Sequence, residues 1–164
     1  MQEHGGDIYS NEGLVDFSAN INPLGPGEKV MKALKKSLEN VTAYPDPKCR
    51  ALREAVAKRE ATVPEHIICG NGAADLIYTM VLAEEPKRAL LCTPSFSEYE
   101  KPLRTVDCQI RFHERKEEEG FALTRRYLDE LTEDLDMIFL CSPDNPTGQC
   151  VEESLLLEIV ETCE

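Results

Sequence analysis

No lysine follows Lys116 in this 164-residue chain, so chemistry that needs a lysine amine nearer the C-terminus finds no group there. Positive charge is scarce throughout: 18 lysines and arginines face 31 aspartates and glutamates, for a net charge of −13. That balance opposes general attraction to nucleic acid or to an anionic membrane, and an anionic ligand would need a local trap. The seven cysteines (Cys49, Cys69, Cys92, Cys108, Cys141, Cys150, Cys163) include no CxxC pair and no regular spacing. They read as reduced, buried thiols rather than a disulfide frame or a zinc site. The opening residues 1–7 lack the basic and apolar regions of a signal peptide, and the longest apolar stretch, near residues 76–83, is far too short to span a bilayer. There is no internal repeat or low-complexity tract. The expectation is a cytoplasmic protein with no metal, no nucleic-acid partner and no membrane partner.

An apolar fraction of 41% over this length suits one domain with a real core. After an irregular arm, residues 1–27, the segment 28–40 spaces Val30, Leu34 and Leu38 four apart, which predicts an amphipathic helix. A second helix is expected after Asp46-Pro47, with Leu52 and Val56 inward and Arg50, Arg53, Lys58 and Arg59 largely outward. From Pro64 onwards short apolar runs alternate with helical ones. Strands are expected at 66–69, 88–92, 108–113 and 136–141, and helices at 73–84, 97–105, 124–131 and 151–163. Alternation of this kind means α/β architecture: a mostly parallel sheet with helices on both faces, in α-β-α layers. The run Arg115-Lys116-Glu117-Glu118-Glu119-Gly120 reads as a solvated turn.

Three loops between these elements could carry chemistry. Gly70-Asn71-Gly72-Ala73-Ala74-Asp75 opens a helix, so the amides of Gly72, Ala73 and Ala74 would form a cup for a phosphate. Asp75 stands where GxGxxG has its last glycine, which makes a dinucleotide reading weak; the plain alternative is a glycine turn capped by Asn71. Thr93-Pro94-Ser95-Phe96-Ser97 follows a strand and offers Phe96 as a face for a planar ring, or else as a core aromatic. In Cys141-Ser142-Pro143-Asp144-Asn145-Pro146-Thr147-Gly148, two prolines keep Ser142 and Asn145 out of any helix. Asn145 is thereby presented at the carboxyl end of a strand, where open α/β sheets place ligands. If each loop follows a strand of one parallel sheet, all three open on the same edge.

Together these loops resemble the cofactor site of the pyridoxal-phosphate enzymes of the aminotransferase type. The resemblance implies a partial large domain of the PLP-dependent transferase fold (fold type I). It further implies that Gly72, Ala73 and Ala74 hold the cofactor phosphate, that Phe96 stacks on the pyridine and that Asn145 contacts its phenolic oxygen. Tyr44-Pro45-Asp46-Pro47 is similar to a segment whose tyrosine reaches the phosphate of the neighbouring subunit, so Tyr44 and homodimerisation join the expectation. The arm motifs His4-Gly5-Gly6-Asp7-Ile8 and Asp16-Phe17-Ser18-Ala19-Asn20-Ile21-Asn22-Pro23-Leu24-Gly25-Pro26 resemble the opening of the threonine-phosphate decarboxylase family. The likeness covers nearly the whole chain. It implies that His4, Gly5 and Asn20, together with Asn145, bind a small phosphorylated amino-acid substrate.

By the same resemblance four parts are expected after Glu164: the Schiff-base lysine, the acid that pairs with the pyridine nitrogen, the substrate arginines and the small domain. Residues 28–164 are then the first portion of the PLP-binding large domain, with no catalytic residue inside the chain and no activity of its own. The expected whole-protein reaction is decarboxylation of L-threonine O-3-phosphate to aminopropanol phosphate, in cobalamin biosynthesis. Histidinol-phosphate aminotransferase or another class I/II aminotransferase is the nearest alternative. A noncatalytic phosphate-binding module is the alternative from another class.

Overall fold

The computed structural model describes residues 5–163, and the chain divides into two compact units, Met1–Cys69 and Gly70–Glu164. His4, one of the expected substrate-binding residues, lies outside the described residues.

In the first unit the arm is irregular, and Gly5 and Gly6 run against Ser18 and Ala19. The amide of Gly6 donates to Ser18 Oγ at 2.8 Å, and a Cβ placed on Gly5 would fall 2.0 Å from the Ser18 carbonyl oxygen. Only glycine fits there. Helix α1, Glu28–Ser37, and a 3-10 turn, Leu38–Asn40, occupy the expected segment 28–40. Its apolar row stays exposed, with Val30 and Leu34 each 53% accessible.

Helix α2, Arg50–Arg59, begins where expected after Pro47, with the Asp46 carboxylate accepting from the backbone amides of Lys48 and Arg50. Its inner face differs from the expected one. Leu52 is exposed, Ala57 is buried, and Arg53 turns in to donate from Nε and Nη2 to the Pro64 carbonyl at 2.9 and 2.6 Å. The expected strand at 66–69 is absent. Pro64–His66 is a 3-10 turn, and the residues after it take no ladder partner.

The second unit starts with α3, Ala73–Glu84, followed by strand β1, Arg88–Thr93. Then come a 3-10 turn, Ser97–Tyr99, helix α4, Glu100–Thr105, and strand β2, Gln109–Glu114. Two further 3-10 segments, Glu117–Glu119 and Arg125–Glu130, precede strand β3, Met137–Phe139, and helix α5, Glu153–Cys163. The segment expected as an α-helix at 124–131 is thus a 3-10 helix.

The three strands are parallel in the order β2-β1-β3, with Ala89 paired to Ile110 on one side and to Met137 on the other. Alternation along β1 builds two cores. Ala89 and Leu91 pack with Val81 of α3 and Leu103 of α4 on one face. Leu90 and Cys92 pack with Leu123, Tyr127, Leu155 and Ile159 on the other. The α-β-α layering follows from this period-two division of a continuous apolar strand. The β1-to-β2 crossover covers one face and the β2-to-β3 crossover returns over the other, so the strand order reverses between β1 and β3. That reversal is where doubly wound sheets open a crevice at their carboxyl edge.

Candidate functional site

The loops that follow β1 and β3 lie on either side of this reversal, and they are the loops that carry Phe96 and Asn145. The peptide bonds before Pro94, Pro143 and Pro146 within them are cis. One contact joins them: Ser95 Oγ donates to Asp144 Oδ1 at 2.7 Å. Because Ser95 precedes Phe96 and Asp144 precedes Asn145, the two expected cofactor residues are each one position from a shared hydrogen bond.

Asp144 also organises its own loop. Its Oδ2 accepts from the Thr147 hydroxyl at 2.7 Å and from the Thr147 amide at 3.3 Å. Its backbone closes the loop, with its carbonyl accepting from Gly148 N and its amide donating to Gln149 O, both at 2.7 Å. Asn145 sits at the crest. Its side chain is exposed and makes no hydrogen bond among the described residues, so its amide is available to a ligand.

Below the loop lies a buried charge. Arg115 continues β2 by one residue, its amide donating to the Thr93 carbonyl at 2.8 Å, and its guanidinium Nη2 stands 3.1 Å from Asp144 Oδ1. The two side chains are 1% and 0% exposed. Neither Nε nor Nη2 of Arg115 has an aligned acceptor, so the pairing is one of charge proximity rather than a bidentate fork. The expectation of a solvated turn is therefore right for Lys116 to Gly120 and wrong for Arg115. His113 faces inward at 1% exposure, and strand alternation sends the residue two positions on to the same side.

Phe96 is half-buried and immediately precedes the 3-10 turn, as expected. It meets Tyr99 in a T-shaped contact at 5.4 Å, and Tyr99 stacks on Phe139 at 4.7 Å. Burial, and after it a hydrogen bond with the Cys141 thiol, push the Tyr99 phenol well above its ordinary pKa. Burial likewise raises the Cys92 thiol, against the lowering influence of Arg115.

The glycine loop arrives at the same edge by a different route. It follows irregular chain rather than a strand, so only two of the three loops leave strands of this sheet. Three residues separate α3 from the start of β1, so α3 runs back along the sheet, and it packs against the Ser97–Tyr99 turn beyond the end of β1. Its first turn is thereby carried towards the carboxyl edge. Gly72 is the N-cap, with φ 87° and ψ 172°, a conformation reserved for glycine. No side chain caps the helix: Asn71 uses its backbone amide, which donates to Asp75 Oδ2 at 2.9 Å. The amides at Ala73 and Ala74 are among the helix-start donors that lack an intrahelical acceptor, a suitable cradle for phosphate oxygens.

In the first unit, Gly5 and Asn20 belong to the two arm strips that run together, and Tyr44 is 95% exposed. No cluster of metal-ligating side chains occurs among the described residues, and no helix there is long and apolar enough to cross a membrane. Ser95, Arg115 and Asp144 are the site residues that sequence reasoning missed.

A doubly wound α/β unit with two loops joined across its strand reversal describes the class of fold. Residues 12–164 match the family model for aminotransferase class I and II, and the chain belongs to that family. It is 40% identical to threonine-phosphate decarboxylase of Salmonella typhimurium over 98% of this chain and 46% of that protein. Histidinol-phosphate aminotransferase of Methanopyrus kandleri is 32% identical over 92% of this chain and 42% of that protein. The crystal structure of L-threonine-O-3-phosphate decarboxylase from Porphyromonas gingivalis superposes with a TM-score of 0.75 at 28% identity, covering 90% of this chain and 43% of that one. The chain spans a little under half the length of these relatives.

Proposed function

We propose that the protein carrying this chain binds pyridoxal 5'-phosphate and decarboxylates L-threonine O-3-phosphate to aminopropanol phosphate, a reaction of cobalamin biosynthesis. The observation that carries the cofactor assignment is the free Asn145 amide on a loop tied at 2.7 Å to the loop of Phe96, at the reversal of the sheet. The residues present fit the group: an uncapped helix start for its phosphate, an aromatic for its ring and an amide donor for its phenolic oxygen.

In this reading Gly72, Ala73 and Ala74 hold the phosphate, Phe96 lies on the ring and Asn145 fixes its orientation. Tyr44 reaches the phosphate held by a second copy of the chain in a homodimer. When bound, pyridoxal phosphate accepts the electron pair left by bond cleavage at the substrate α-carbon. The chain's own part is to choose which bond breaks. His4, Gly5 and Asn20 would bind the substrate's phosphate end and Asn145 would also contact the substrate, so that its carboxylate is the group presented for loss as carbon dioxide, with a proton taking its place on the α-carbon. The 40% identity to a threonine-phosphate decarboxylase and the paired arm motifs support this substrate over others.

The 32% identity to a histidinol-phosphate aminotransferase favours the second reading, transamination of a phosphorylated amine. Both are tested on the full-length protein. Added pyridoxal phosphate should give a borohydride-reducible imine, and threonine phosphate should then release carbon dioxide. Turnover of histidinol phosphate with 2-oxoglutarate instead would replace the decarboxylase by the aminotransferase. Absence of any reducible imine would leave a noncatalytic phosphate-binding module.

A further inference from the structure

We propose that Asp144 is a positioning residue of this site: its carboxylate locks the Asn145 loop and joins it to the Phe96 loop, so that the two cofactor-facing groups are held as one body. This inference rests on the cofactor reading above for its consequence, and on geometry alone for the lock.

One buried carboxylate gathers the ends of all three strands. Ser95, beyond β1, donates to Oδ1 at 2.7 Å; Arg115, beyond β2, stands 3.1 Å from the same oxygen; Thr147, beyond β3, donates its hydroxyl to Oδ2 at 2.7 Å. The Thr147 amide adds a contact at 3.3 Å. Each partner has a distinct part. The hydroxyls and the amide are directional and define where the loop sits, whereas Arg115 lacks aligned acceptors and supplies charge that makes a carboxylate tolerable at 0% exposure. Asn145 makes no hydrogen bond of its own, so nothing but its loop aims its amide. A loop whose crest is unsupported and whose base is held by three hydrogen bonds and one charge contact transmits the position of its base to its crest.

The lock is tested in the full-length protein with three variants. Asp144→Asn keeps the shape and removes the charge; Ser95→Ala removes only the bridge to the Phe96 loop; Asn145→Ala is the reference for loss of the amide. Hydrogen bonds to a charged group are each worth roughly a 10- to 100-fold change in equilibrium constant. Asp144→Asn should therefore weaken pyridoxal phosphate binding by about tenfold or more and speed amide exchange at Thr147 and Gly148 by a similar factor. It should also move the pH midpoint of the bound cofactor's absorbance in the direction set by Asn145→Ala. Ser95→Ala should do the same more weakly, by roughly threefold, and it reads the lock even if Asp144→Asn does not fold. Adding Arg115→Met to Asp144→Asn should restore part of the thermal stability, because no buried charge then stands alone.

A purely structural Asp144 would lower the melting temperature and leave cofactor affinity, pH midpoint and loop exchange as in the parent. That outcome in a folded Asp144→Asn or Ser95→Ala protein overturns the proposal. If the parent itself binds no pyridoxal phosphate, the functional reading fails, and amide exchange at Thr147 and Gly148 alone decides the lock: faster in Asp144→Asn supports it, unchanged refutes it.

Discussion

Residues 5–69 and residues 70–163 use apolar side chains in opposite ways. In the second unit the apolar residues of β1 are divided between two faces and each face closes on helices, so Leu90, Leu103 and Ile159 are at most 1% exposed. In the first unit Val30, Leu34 and Leu38, spaced as regularly as any in the chain, are more than half exposed, and Ala57 is the one apolar residue described as buried. Regular spacing therefore specifies that a helix forms, whereas burial requires an opposing surface at the right distance. The sheet of the second unit supplies one to its helices.

The largest effect that would break this contrast belongs to the sheet. Leu90→Ala removes a side chain at 0% exposure that packs with Tyr127, Leu155 and Ile159, and it should destabilise the folded protein by about 2–5 kcal/mol. Chemical denaturation of the full-length protein measures it. A loss under about 1 kcal/mol would mean that the β1 core is looser than its burial indicates.

Next comes the glycine loop that opens the second unit. Gly72→Ala should cost about 1–3 kcal/mol from backbone strain alone, since a Cβ there meets nothing within 4 Å while φ is +87°. On the cofactor reading it should also weaken pyridoxal phosphate binding, because relaxing the strain turns the first-turn amides. Fluorescence titration with the cofactor separates the two effects from denaturation.

The contrast also explains what the sequence did and did not disclose. Within the second unit the strand and helix positions of β1, β2, α3 and α5 follow from composition and period, because each is long enough to show its pattern. The loop positions of Asn145 and Phe96, though not their roles, were readable because proline and aromatic placement have local causes. The strand expected at 66–69 failed because a run as short as His66-Ile67-Ile68-Cys69 carries no information on whether a neighbouring strand exists to accept its hydrogen bonds. Arg53 was assigned outward from charge, yet an arginine with a backbone carbonyl within reach can turn in and keep its donors satisfied. Arg115 was lost to its acidic neighbours. Its partner Asp144 lies 29 positions away, and no local pattern announces a pairing over that distance.

A smaller effect tests the interior of the second unit. Tyr127 is 0% exposed, and its hydroxyl has no hydrogen-bond partner among the described residues. Tyr127→Phe keeps the T-shaped contact with His113 and removes an unpaired buried polar group, so it should stabilise the protein by about 1 kcal/mol. Burial raises the Tyr127 phenol above its ordinary value, which means the fold prefers the neutral form. Its contribution is complete below the unfolded value of about 10 and is lost as pH rises beyond that. Denaturation midpoints should fall less steeply above pH 10 in Tyr127→Phe than in the parent.

The smallest expected effect is the most informative about the first unit. Leu34 of α1 carries the same side chain as Leu90, in a helix whose charge pattern is favourable, with Glu28 in the first turn and Lys35 and Lys36 in the last. At 53% exposure its truncation to alanine removes little buried area and leaves no enclosed cavity, and alanine is the better helix former. Leu34→Ala should therefore change stability by no more than about 0.5 kcal/mol in either direction. A loss near that of Leu90→Ala would show that the α1 row is covered in the full-length protein, and the contrast between the two units would then belong to residues 5–163 alone.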